Sequence, residues 1–161
     1  MGDGLMAVFE TDTSAASARA GLEAVTGIGQ ALQRFNTTLS NEGSLPVAIG
    51  IGLHLGNVVL GEIGAAGQAP RTLIGDTVNT ASRLESETKP LGVEALVSIE
   101  TLEAAQVSAP QGALVALNLR GREMELRAMP LKKATEAAQL KSMETAPTAT
   151  SGISVADSAR L

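Results

Sequence analysis

The chain has 161 residues, enough for one domain of ordinary size. Apolar residues make up 44% of it, so it can bury a core, but Phe9 and Phe35 are its only aromatics. That core must therefore be built from Leu, Ile, Val and Ala, with modest area per side chain. A net charge of −5 argues against general nucleic-acid binding. The absence of cysteine excludes a disulfide framework, thiol chemistry and Cys-based zinc sites. The opening Met-Gly-Asp-Gly lacks the basic-then-apolar character of a signal peptide. Residues 45–61 carry no charged side chain, but they include Pro46, His54, Asn57 and four glycines, and at 17 residues they are short for a membrane span. The chain reads as cytoplasmic, with no span.

Taken in order, residues 5–9 form an apolar run after Gly-Asp-Gly and predict a strand leaving a tight turn. Asp12, Thr13 and Ser14 are helix N-cap types. Leu22, Val25, Ile28, Leu32, Phe35 and Leu39 then recur in steps of three and four, which predicts a helix ending near Asn41 and Gly43. Gly21, Gly27 and Gly29 weaken that helix by about 1 kcal/mol each relative to Ala.

The period then changes to two. Val47, Ile49, Ile51, Leu53 and Leu55 alternate with Ala48, Gly50, Gly52, His54 and Gly56. The result is a strand with one bulky and one nearly bare face, open to approach by another backbone or a ligand. Residues 58–63 continue as a second strand, and residues 72–74 as a third after a loop. Gly75-Asp76-Thr77 turns the chain into a helix running to about Thr88 and ended by Pro90 and Gly92. Strands are expected at 95–98, 114–119 and 125–131, with a short helix at 100–105. From residue 134 to 161 Ala, Thr, Ser and Lys dominate without period, which reads as a disordered tail behind a domain of residues 1–133.

The chemistry concentrates in Ile74-Gly-Asp-Thr-Val-Asn-Thr-Ala-Ser-Arg-Leu-Glu85. With Asp76 or Thr77 as cap, Asn79 and Arg83 lie four apart, about 40° around the helix, and point the same way. Thr77, Val78, Ala81 and Leu84 fall on the other side and can face the sheet. One helix thus presents an amide and a guanidinium, the latter shaped to fork onto phosphate. The same spacing also fits an exposed surface helix whose Arg83 pairs with Glu87 at i+4.

Gly50-Ile-Gly-Leu-His-Leu-Gly56, Val58-Val-Leu-Gly-Glu-Ile-Gly64 and Ile74-Gly-Asp-Thr-Val-Asn-x-Ala-Ser-Arg-Leu-Glu85 resemble successive motifs of the class III adenylate and guanylate cyclases. Gly2-Asp-Gly-Leu-Met-Ala-Val-Phe9 resembles the family's segment after its first hairpin turn, and Leu119-Arg-Gly-Arg122 its closing strand pair. The resemblance spans residues 2–131 in the family's order. It implies an α+β, ferredoxin-like sheet with helices on one face, N-terminally incomplete. It also implies conversion of ATP to cyclic AMP and pyrophosphate in signal transduction, with two Mg2+ or Mn2+ ions as Lewis acids. The working unit would be a head-to-tail homodimer, or a heterodimer with another cyclase chain.

Carried over by position, the resemblance makes Asp3 a metal ligand, Asn79 the ribose-orienting residue and Arg83 the group that stabilises charge on the phosphate. Arg120 matches a basic position for the triphosphate. Thr72, seven before the Asn, matches the base-selecting position and favours ATP over GTP. Asp3 also reads simply as a turn residue, and Asp76 as a helix cap rather than a ligand. His54, the only histidine, reads as a packed or backbone-bonded residue rather than a catalyst.

Two family positions have no counterpart here: the first metal Asp and the purine-selecting Lys both fall before Met1. One ion ligand cannot hold two ions, so the expectation for this chain alone is no substantial turnover. Three readings stay open at this point. The chain is a cyclase domain completed by upstream sequence, a non-catalytic partner lending Asn79 and Arg83 to another chain, or a nucleotide-free interaction module.

Overall fold

The computed structural model of the chain describes residues 4–62, 71–118 and 125–141. It opens with α1 (Ser14–Asn41), followed by β1 (Ile51–Leu53), β2 (Val59–Glu62), β3 (Arg71–Ile74) and α2 (Asp76–Leu91). Then come β4 (Ala95–Ser98), α3 (Ile99–Ala104), β5 (Val115–Leu117) and β6 (Leu126–Leu131). A 3-10 turn (Ala134–Glu136) leads into α4 (Ala137–Lys141).

Four strands make one sheet in the order β1-β4-β6-β5. The β1–β4 pair is parallel, with Gly52 opposite Leu96, and the other two pairs are antiparallel. A separate antiparallel hairpin joins β2 to β3, with Val59 opposite Ile74 and Gly61 opposite Thr72. The class is α+β, as the sequence implies. Helices cover more than one face, however. Alternation along β4 sends Ala95 and Val97 into the larger core cluster with α1, α3 and α4, while Leu96 joins Leu84 of α2 in a second cluster.

Thr13 caps α1, its side chain accepting a hydrogen bond from the Ala16 amide at 3.1 Å. The helix is buried no further than Gly29: Leu22 and Val25 are in the core, whereas Ile28 and Phe35 are exposed. Two of its glycines have a packing reason that propensity alone conceals. A Cβ on Gly21 would come within 2.8 Å of the Leu53 side chain, and one on Gly29 within 2.8 Å of the Ala134 side chain.

Several sequence expectations are corrected. Residues 5–9 carry no strand pairing, and Leu5 is 93% exposed, because no described strand lies beside them. The alternating run 47–55 forms a ladder only at Ile51–Leu53. Upstream of it, the Asn36 amide group takes the place of a neighbouring strand. Its side chain donates to the Val47 carbonyl at 2.9 Å and accepts from the Val47 amide at 2.8 Å.

α2 continues through Pro90 and stops at Gly92, whose φ of +64° is the left-handed closing conformation that glycine tolerates. The disorder expected from residue 134 is not found over 134–141, where Ala134, Ala137 and Leu140 are buried against α1. Glu94 fastens this segment, accepting from Lys133 Nζ at 2.8 Å and from the Ala134 amide at 2.9 Å.

Candidate active site

The bare face of β1 is filled by α2. A Cβ on Gly50 would strike the Thr88 hydroxyl, and one on Gly52 the Ala81 carbonyl and the Leu84 side chain. A Cβ on Gly56 would strike the Thr77 hydroxyl. The approaching backbone foreseen from the glycine alternation is therefore this helix. Thr77, Ala81, Leu84, Glu85 and Thr88 line its inner side at helical spacing, and Thr80, Leu84 and Thr88 are buried.

This seating leaves Asn79 exposed and Arg83 partly exposed. Neither side chain has a hydrogen bond or ion pair among the described residues, so Arg83 is not paired with Glu87. An amide and a guanidinium one turn apart can grip a ribose and a phosphate together.

The helix start differs from expectation. Gly75 occupies the N-cap position without any side-chain cap, and Asp76 is the first helical residue, where its charge suits the helix N-terminus. Thr77 turns its hydroxyl away from its own helix and donates to the Asn57 carbonyl at 2.6 Å. Asn57 was not singled out from sequence. The small residues at 77, 81 and 88, opposite glycines at 56, 52 and 50, are the pattern that could have pointed to this seam.

His54 is 5% exposed in its side chain. Its Nδ1 lies 2.9 Å from Ser98 Oγ and 3.7 Å from a Glu100 carboxylate oxygen. Ser98 also caps α3 and contacts the Thr101 hydroxyl at 3.0 Å. His54 is thus a packed, hydrogen-bonded residue.

Thr72 lies on β3 opposite Gly61, while Asp3 and Arg120 fall outside the described residues. Among the described residues no group of three or more His, Asp or Glu converges to hold a metal ion.

The family model for the adenylate and guanylate cyclase catalytic domain matches residues 1–139. The chain belongs to that family. An adenylate cyclase of Anabaena cylindrica is 37% identical over 102 residues, which is 61% of this chain and 20% of that protein. Retinal guanylyl cyclase 2 of Rattus norvegicus is 49% identical over 59 residues, 36% of this chain and 5% of that protein. This cyclase chain therefore spans a small fraction of the curated relatives it matches. Among solved structures, the guanylyl cyclase Cya2 superposes with a TM-score of 0.56 at 26% identity, over 68% of this chain and 56% of that one. Among the described residues no helix is long and apolar enough to cross a membrane.

Proposed function

We propose that this cyclase domain binds ATP and takes part in its conversion to cyclic AMP and pyrophosphate, supplying Asn79 and Arg83 to a site shared with a second cyclase subunit. One observation carries the reading: the two side chains lie one turn apart on the outer face of α2, with no hydrogen bond or ion pair among the described residues. In this reading the ribose 3′-hydroxyl attacks the α-phosphorus and pyrophosphate departs. Asn79 orients the ribose, and Arg83 offsets the negative charge that grows on the phosphate oxygens.

The family generally uses divalent metal ions, which act as Lewis acids. Asp3 is the ligand assigned by resemblance. Thr72, on the hairpin strand that leads into α2, supports adenine over guanine by the same resemblance. Arg120 is assigned to the triphosphate. A head-to-tail dimer or cyclase heterodimer and a cytoplasmic location complete the proposal.

The test is reconstitution. The purified chain is mixed with a class III cyclase protomer that keeps both metal aspartates but has lost its own Asn and Arg, and Mn2+ with ATP or GTP is supplied. Cyclic AMP formation by the mixture, absent from either component alone and greater than cyclic GTP formation, is expected. No product from the mixture, beside a control pair that works, overturns the proposal.

A further inference from the structure

We infer that Thr77 is a positioning residue for the reaction proposed above: its hydroxyl, tied to Asn57, fixes the first turn of α2 and so aims Asn79. The inference rests on the reading of Asn79 and Arg83 as substrate-facing, and it adds a group that the sequence motif alone does not explain.

The geometry is that of a clamp at the root of a hairpin. Val59 and Ile74 are paired across β2 and β3. Asn57 lies two residues before that pair, and Thr77 lies three after it. Their hydrogen bond of 2.6 Å closes the two ends of the hairpin onto each other. The neighbours leave little slack. A Cβ on Gly56 would meet the Thr77 side chain, and one on Gly75 would lie 3.2 Å from the same Asn57 carbonyl.

Further along, α2 is held by packing. Leu84 is fully buried, and the Gly52 seat lies beside Ala81 and Glu85. At its start Gly75 offers no side-chain cap, and the Val78 amide bonds to the Gly75 carbonyl at a long 3.2 Å. The Thr77 hydroxyl thus ties the first turn to Asn57, two residues before Asn79. Arg83 lies a turn beyond, next to the buried Leu84, and depends on the tie less. Loosening the first turn should misplace the ribose more than the phosphate, which lowers turnover rather than affinity.

The experiment replaces Thr77 in the full chain and reads both reconstituted turnover and amide exchange. Thr77→Val keeps the shape and removes the hydroxyl; Thr77→Ser keeps the hydroxyl. Thr77→Val should lower kcat about tenfold with KM for ATP changed by less than about twofold, and Thr77→Ser should restore at least half of the turnover. Amides 78–80 should exchange about tenfold faster in Thr77→Val alone, with the melting temperature little changed because the bond is at the surface. If the wild-type pair turns over and Thr77→Val matches its kcat, the positioning role is overturned. If the wild-type pair yields no product, the cyclase reading fails by itself, and exchange decides the clamp. Faster exchange confined to 78–80 upholds it, and unchanged exchange removes it.

Discussion

Gly52 shows how much of the site a single missing side chain can set. An added methyl there meets the Ala81 carbonyl and the Leu84 side chain, so α2 would have to lift from the sheet. Gly52→Ala should cost about 2–3 kcal/mol in a denaturant melt, in the range for overpacking a close seam. Gly27 is the counterpart, with open space where its Cβ would go. Gly27→Ala should stabilise by about 0.5–1 kcal/mol through helix propensity alone. The sequence displayed the bare face of β1 plainly, because glycines at every second position have few other readings. It could not say what fills that face, since a helix backbone and a ligand leave the same pattern. Asn79 and Arg83 were legible as a pair from their spacing. Asn57 was not, because it contributes a backbone carbonyl, which every residue type carries.

At the scale of elements, long periodic segments were readable and short ones were not. α1 and α2 appear close to their expected limits, while residues 5–9 and most of 47–55 lack the strand ladder their composition suggests. A strand needs a neighbour, and apolar alternation does not reveal whether one is present. The segment 134–141 was missed for the opposite reason. Its buried residues Ala134, Ala137 and Leu140 repeat every third position, but two of the three are alanines, whose hydrophobic signal is faint. Glu94 is the residue that pins this segment. Glu94→Gln should therefore lower stability by about 1–2 kcal/mol at neutral pH, from one weakened charge-assisted bond and one backbone bond.

The Lys133 ammonium, hydrogen-bonded to Glu94 and attracted by its charge, titrates above its ordinary value of 10.5. Because the folded value is the higher one, its contribution is complete below 10.5 and fades as pH rises through the raised value. Melts across that alkaline window should fall more steeply for the wild-type chain than for Glu94→Gln.

The whole molecule divides its apolar residues unevenly between core and surface. Leu22 is fully buried between α1 and the sheet, whereas Phe35, farther along the same helical stripe, is 53% exposed. Leu22→Ala should cost about 2–5 kcal/mol and Phe35→Ala less than about 1 kcal/mol, as thermal melts of the two variants would show. A stripe in sequence marks one face of a helix, but the length of it that is covered depends on what packs there. The strand order β1-β4-β6-β5 was equally out of reach of periodicity, since it depends on non-local pairing. The family resemblance, which the match over residues 1–139 bears out, implied a ferredoxin-like sheet without giving that order.

The central claim is that a guanidinium on the outer face of α2 meets a phosphate held by a neighbouring subunit. Its most direct test is the single-turnover rate of the reconstituted pair with Arg83→Ala in this chain and saturating ATP. The account predicts a loss of about a hundredfold or more, with ATP still bound, as expected when a charge-stabilising group is removed from the transition state. A rate within about twofold of the unaltered pair would contradict it, because a group that stabilises the transition state cannot be removed at so little cost.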